Sequence, residues 1–250
     1  MRERKRRGHS RYYLFFVLSL VTLLGVVGGV YYLLRSLDIL RVEKILISGN
    51  KATDLSLIRK VTDNYLGVNL LAVPTAALKH DLLRFSRVKD VRIRKTLLHT
   101  LKVQLTERQG AIYLRTVEGD LYPVDEDCVI LARYDLIYNE DLPVFSTHFS
   151  NAQLKAGKKI KSAGLSRVLQ FHKQLSHEAA DFLPRVSEYY LVDNTVYMID
   201  AISGTRIIPP KVDLAAQIKR YLFVSENGNI GNHKLLDLRF DKQVVVKAEQ

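Results

Sequence analysis

Residues 87–108 read RVKDVRIRKTLLHTLKVQLTER. Val91 and Ile93 alternate there with Arg92 and Arg94, and Leu101, Val103 and Leu105 alternate with Lys102, Gln104 and Thr106. A period of two belongs to a half-buried strand. The stretch therefore predicts two strands with a short connection, each apolar on one face and basic or polar on the other. An apolar sheet face needs a cover, and the residues upstream supply it. Val42, Ile45 and Ile47 mark a strand that ends in the turn Ser48-Gly49-Asn50. Ile58, Val61 and Tyr65 recur at helical spacing behind a cap at Thr53 or Asp54, and Gly67 stops that helix. Pro74 opens a second helix with Leu78, Leu82 and Phe85 on its apolar face. The predicted order is β-α-α-β-β.

Further upstream, Tyr12 to Leu34 form a run of 23 residues without a charge. About 20 apolar helical residues cross a bilayer core of about 30 Å, so the run predicts a transmembrane helix. Tyr12, Tyr13, Tyr31 and Tyr32 stand at its ends, where amphipathic rings prefer the headgroup level. Arg2, Arg4, Lys5, Arg6, Arg7 and Arg11 precede it against Glu3 alone, while Arg35, Asp38 and Arg41 follow. The positive-inside rule puts the N-terminus in the cytoplasm and the bulk of the chain beyond the membrane. A cleaved signal peptide is the competing reading, but Tyr31-Tyr32-Leu33-Leu34 lacks the small-residue exit such a peptide needs. Gly25 and Gly29 have a spacing that could pack two helices, although Gly28 beside them makes chance an equal explanation. Four segments follow: a basic tail at 1–11, the span at 12–34, a first folded domain at 35–108 and a second at 109–250.

The full chain has 250 residues and a formal charge of +12. Such a charge suits nucleic acid, an anionic membrane or a solvated basic face. With most of the chain outside the cytoplasm, no nucleic-acid partner is expected, and the bilayer is the expected contact of the tail and span. Cys128 is the single cysteine, which rules out an internal disulfide.

The second domain begins with a strand at Ala111–Leu114, a turn at Gly119 and a return at Leu121–Val124, with a possible third strand at Val129–Leu131. Leu142-Pro143-Val144-Phe145 enters an open stretch. Leu165, Val168, Leu169, His172 and Leu175 predict a helix from Leu165 to about Leu183. A hairpin is expected from Glu188–Val192 and Thr195–Ile199, hinged at Asp193-Asn194. A strand at Thr205–Ile208 and a helix over Asp213–Phe223 follow. Near the end, Leu236, Leu238 and Phe240 alternate with Asp237, Arg239 and Asp241, and Val244–Val246 resume. The fold class is α+β: one transmembrane helix, a β-α-α-β-β domain, and a second sheet domain with flanking helices.

Chemistry is not written in this chain. The seven histidines make neither an HExxH motif nor a His-Cys cluster, and no GxSxG elbow is present. Asp125, Glu126 and Asp127 lack the looped spacing of calcium ligands. No catalytic residue, cofactor or metal is expected.

The phrases Val42-Glu43-Lys44-Ile45 with Gly49-Asn50, Asn69-Leu70, Arg87-Val88-Lys89-Asp90-Val91-Arg92-Ile93, and Leu101-x-Val103-x-Leu105-x-Glu107-Arg108, in this order, resemble the POTRA domain. Placed directly after one anchor helix, they resemble the FtsQ/DivIB family of bacterial cell-division proteins. Leu97-Leu98 stands where that family usually has an aromatic-proline pair, and Gln109-Gly110 where it usually has proline. The resemblance extends to Leu142-Pro143, to Leu236–Phe240 and to Val244–Val246, and implies a second domain built on a mixed or antiparallel sheet. It implies a non-enzymatic scaffold of the divisome, in the cytoplasmic (inner) membrane at the septum, with its bulk in the periplasm or outside the membrane. The implied partners are FtsB-like and FtsL-like single-span coiled-coil proteins and other divisome proteins. They would be bound through the late strands, where the family's aromatic falls on Phe240 and its arginine on Arg239. Leu238, Asp241 and Val245 complete the expected site. Phe240 has packing as its competing role, because it alternates with Leu236 and Leu238. Arg239, on the opposite face, is the cleaner expectation. Alternatives are a POTRA-type chaperone or polypeptide-transfer module, and an anchored cell-wall glycan enzyme. A protease outside the cytoplasmic membrane should digest the bulk of the chain, while one confined to the inside should leave that bulk intact, as read by immunoblot.

Overall fold

The computed structural model describes residues 9–36, 40–96, 99–132, 141–228 and 235–247. Arg2, Glu3, Arg4, Lys5, Arg6 and Arg7 of the tail, Leu97-Leu98 and His233 lie outside them. Helix α1 spans His9–Ser36, and its apolar part, Tyr12–Leu33, is exposed along its whole length. Lipid is the solvent that suits such a helix, since it is apolar all round and no described part of the chain covers it. The chain is a single-pass membrane protein with its N-terminus in the cytoplasm.

The folded chain divides into two compact units, the first being Met1–Asn50, Asp54–Leu82 and Val91–Leu105, the second Lys51–Thr53, Leu83–Asp90 and Thr106–Gln250. In the first, strand β1 (Lys44–Ser48), helices α2 (Leu55–Thr62) and α3 (Thr75–Leu82), and strands β2 (Val88–Thr96) and β3 (Thr100–Glu107) follow in the predicted order. The sheet order is β1-β3-β2, with β1 parallel to β3. Asp54 is the cap of α2, and its carboxylate accepts from the Ser56 N–H at 2.8 Å. Ile58, Leu78, Leu82, Val91, Leu101, Val103 and Leu105 are buried, while Lys102 and Gln104 on the other face of β3 are exposed. Each fully buried aliphatic side chain contributes about 1.5–3 kcal/mol.

Gly49 lets β1 end where it does. Its φ is +86°, and a Cβ there would stand 2.0 Å from the Leu105 carbonyl oxygen. Only glycine satisfies both the backbone angle and the close approach.

The second unit holds an eight-stranded mixed sheet in the order β11-β10-β9-β8-β7-β6-β4-β5. Its strands are β4 (Ile112–Arg115), β5 (Leu121–Val124), β6 (Val144–Ser146), β7 (Val186–Val192), β8 (Thr195–Asp200), β9 (Arg206–Ile208), β10 (Leu235–Asp237) and β11 (Val245–Lys247). Helix α4 (Ala163–Glu178) packs against β7, β8 and helix α5 (Leu214–Asn227). The β7–β8 hairpin turns at Asp193 (φ 46°) and Asn194 (φ 64°), two residue types that tolerate left-handed backbone.

Two buried polar contacts tie the layers of this unit together. His172 on α4 meets the Tyr189 hydroxyl of β7 at 3.1 Å, and burial pushes the imidazole below its ordinary pKa against the opposing pull of Glu126. Asp200 at the end of β8 is fully buried and pairs with Arg185, Nη2 to Oδ2 at 2.6 Å, while the Tyr221 hydroxyl of α5 also donates to it. Burial pushes the Asp200 carboxyl up, but the hydrogen bonds from Arg185 and Tyr221 outweigh it and hold the group below its ordinary range.

The sequence expectations differ from the structure at four places. Val144–Ser146, read as open, is strand β6, which lies between β4 and β7 and is parallel to both. Val129 and Ile130 make isolated bridges to Lys159 and Val124 rather than a strand. Helix α4 stops at Glu178, where Ala179 leaves the helical region at φ −146° and ψ 55°, and a 3-10 segment, Ala180–Arg185, continues. Strand β10 stops at Asp237 instead of running through Phe240, for a reason given below.

Gly49→Ala should destabilise the folded chain by about 2 kcal/mol or more in urea denaturation, through strain and the displaced Leu105 carbonyl. Gly67→Ala, at φ +77° with no atom within 4 Å, should cost only the left-handed penalty of about 1–2 kcal/mol. Equal losses at the two sites would contradict this account of Gly49.

Candidate partner-binding edge

The end of the eight-stranded sheet is built around one carboxylate. Asp237 on β10 has a fully buried side chain. Arg239, two residues on, turns back over it: Nε reaches Oδ1 at 2.9 Å and Nη2 reaches Oδ2 at 2.6 Å, the bidentate fork that guanidinium and carboxylate favour. The Arg239 backbone N–H also donates to Oδ1 at 3.1 Å. From β11, Lys247 Nζ approaches Oδ2 at 2.8 Å. The hydrogen bond from Arg239 does most to hold the Asp237 carboxyl far below its usual range, burial opposes it, and Lys247 adds to it.

This clamp explains where β10 stops. A side chain aimed back at i−2 is compatible with a turn, and the chain turns at Asp241 and Lys242, whose φ is 55°. Leu238 still donates its N–H to the Ile208 carbonyl at 3.0 Å and is fully buried. Phe240 then falls outside the core at 48% exposure, with its carbonyl accepting from Gln217 Nε2 of α5 at 2.7 Å. Asp241 is exposed. The chain returns as β11, antiparallel to β10, with Val245 opposite Asp237 and Val246 opposite Leu236. Val245 is half-buried and Val246 is 45% exposed.

Two of the expected residues take positions that strand alternation does not give. Arg239 stands within its expected segment, but it does not project freely from the face opposite Leu238, because its guanidinium is engaged by Asp237. Phe240 does not pack as Leu236 and Leu238 do, because the turn removes it from their alternation. Asp237, Val246 and Lys247 are the residues that sequence reasoning missed. Asp237 and Arg239 share one face of a strand at i and i+2, a spacing at which opposite charges can meet, and that signal was present. The approach of Lys247 depends on the β10–β11 register, which no local pattern carries.

Strand β11 is terminal in the sheet, and among the described residues its outer side has no neighbouring strand. The opposite terminal strand, β5, is covered: Val124 bridges Ile130, and the Leu131 N–H donates to the Pro123 carbonyl at 2.8 Å. An uncovered edge with two apolar side chains, Phe240 and Val246, exposed beside it can accept an extended segment through main-chain hydrogen bonds.

Elsewhere in this unit the Glu107 carboxylate accepts the backbone N–H groups of Lys51, Ala52 and Thr53 at 2.8, 2.8 and 2.7 Å. Burial raises its pKa, but those hydrogen bonds prevail and lower it. The neighbouring Arg108 pairs with the buried Asp125. The Glu107-Arg108 phrase is thus structural. A cavity of about 560 Å³ is lined by Phe145, Phe149, Tyr190 and Leu191 with Ser146 and His148. Among the described residues, no three or more His, Cys, Asp or Glu side chains gather to hold a metal ion. Cys128 is buried, with Sγ 3.8 Å from the Ser166 hydroxyl.

Residues 40–108 match the FtsQ-type POTRA domain. The chain is 32% identical over 104 residues to a cell division protein FtsQ of Corynebacterium glutamicum, covering 42% of this chain and 44% of that protein. It is 32% identical over 106 residues to a cell division protein FtsQ of Streptomyces bingchenggensis, covering 42% and 40% of the two chains. The chain thus spans less than half the length of the curated relatives it matches.

The clamp makes a non-additive prediction. Arg239→Met or Lys247→Met alone leaves Asp237 one cation, whereas the double variant strands a buried carboxylate and should lose about 3–5 kcal/mol in urea at pH 7. In the unaltered chain the lowered Asp237 pKa contributes stability that is present above the unfolded value, about 3.9, and is lost as pH falls through the folded one. The double variant should therefore begin to unfold at higher pH in an acid titration. Additive losses with an unchanged acid transition would dismiss the clamp.

Proposed function

We propose that this chain is a member of the FtsQ/DivIB family and a non-enzymatic scaffold of the cell-division machinery, anchored by α1 in the cytoplasmic membrane and acting at the septum. Its partners on this reading are the extracytoplasmic segments of small single-span coiled-coil division proteins, FtsB-like and FtsL-like, and through them other divisome proteins. The observation that carries the reading is the uncovered edge of β11 beside Phe240 and Val246. A partner strand added there would gain backbone hydrogen bonds along β11 and place its alternate side chains against Phe240 and Val246.

Each site residue has a distinct role in this reading. Phe240 and Val246 make contact, Asp241 lies beside them as a charge that steers and selects, Leu238 anchors the turn from the core, and the half-buried Val245 stands opposite Asp237. Arg239 is a positioning residue: it holds the turn that presents Phe240, acting through Asp237.

Full-length chain in detergent can be titrated with the extracytoplasmic segment of an FtsB-like protein by isothermal calorimetry. Phe240→Ala and Val246→Asp should each weaken binding at least about tenfold, or about 1.4 kcal/mol, without altering the urea midpoint. Both side chains are exposed, so folding should survive. Undiminished affinity in both variants would remove the β11 edge from the proposal.

A further inference from the structure

The charge of the chain is unevenly distributed. Residues 40–108 hold 14 Lys and Arg against 6 Asp and Glu, a net of +8, while residues 109–250 hold 17 against 18. Most of the excess beyond the membrane therefore sits in the unit that follows α1. On the sheet β1-β3-β2, the face away from the buried leucines and valines carries exposed Lys44, Lys102, Arg92 and Arg94. Leu46 lies among them at 50% exposure, paired in register with Lys102. The carboxylates on or beside these strands are Glu43, Asp90 and Glu107, and Glu107 is taken by the amides of residues 51–53.

The same unit starts close to the bilayer. Helix α1 ends at Ser36, and Leu40 is already buried, with its carbonyl accepting the Leu70 N–H at 2.7 Å. Four Cα steps of 3.80 Å allow a separation of at most about 15 Å. The Debye length at physiological salt is about 8 Å, so the unit is tethered within about two Debye lengths of the headgroups.

We propose that this outward sheet face, Lys44, Arg92, Arg94 and Lys102 around Leu46, is a docking surface for the anionic headgroups of the membrane that holds α1. The cations meet lipid phosphates, and Leu46 enters the headgroup layer between them. The docked face limits the orientations that the unit samples on its tether.

The chain has no tryptophan, so Leu46→Trp supplies a single reporter at the centre of the face. The full-length variant is placed in nanodiscs of neutral phosphatidylcholine, or of phosphatidylcholine with phosphatidylglycerol, each with and without brominated acyl chains. In anionic discs the emission should shift to shorter wavelength and be quenched by bromine, and both effects should fade in high salt. Lys44→Gln with Arg94→Gln and Lys102→Gln on the same reporter should abolish them. Emission that is identical in neutral and anionic discs, or unaffected by salt, overturns the proposal without relying on the triple variant. Soluble polyphosphate is the remaining arm: if it produces the same shift in neutral discs as anionic lipid does, the face is a site for a free polyanion and the membrane assignment fails.

Discussion

A helix that is apolar on every side, and that no described part of the chain covers, sets the conditions for everything after it. Helix α1 presents Tyr12–Leu33 outward along its whole length. Water would charge heavily for that surface, and a bilayer removes the cost. The two folded units are consequently envelope modules, held to one copy of one membrane by a helix that cannot leave it. Under that constraint a binding surface gains from local concentration, and modest contacts are enough to keep partners together.

The second unit brings polar groups into its core in one repeated way. Asp237, Asp200 and Asp125 are buried carboxylates, each held by an arginine. A buried charge without a partner is costly, and a paired one fixes geometry. In each case the pair joins segments that the backbone alone would leave loosely related: β10 to its following turn, β8 to the 3-10 segment, and Arg108 to the loop after β5. Such contacts need not add net stability in order to select one arrangement of the chain.

Much of the fold could be read from residue patterns, and the exceptions have physical causes. The β-α-α-β-β order was legible because β2 and β3 are long, alternate cleanly, and are preceded by a capping aspartate and a glycine that both act as their chemistry predicts. The β7–β8 hairpin was legible because Asp193-Asn194 can take positive φ at both positions. Strand β6 was not, because three residues behind a proline show no alternation and its neighbours β4 and β7 come from distant parts of the chain. At the candidate edge, the segment 236–246 was legible as strand-forming, but its local geometry was not. Alternation put Phe240 with Leu236 and Leu238, and the Asp237–Arg239 pair ended the strand before that alternation could reach it. Short strands are governed by side-chain contacts that override periodicity, and those contacts depend on tertiary register.

The two ends of the eight-stranded sheet differ in what they offer an incoming strand. Within that sheet, part of the outer side of β5 is occupied by Ile130 and Leu131, whereas β11 has no neighbouring strand among the described residues. Two copies stacked head to tail through the sheet would have to set β11 against β5, where those residues stand. The asymmetry therefore disfavours repeated edge-to-edge addition through this sheet, the step by which fibres grow.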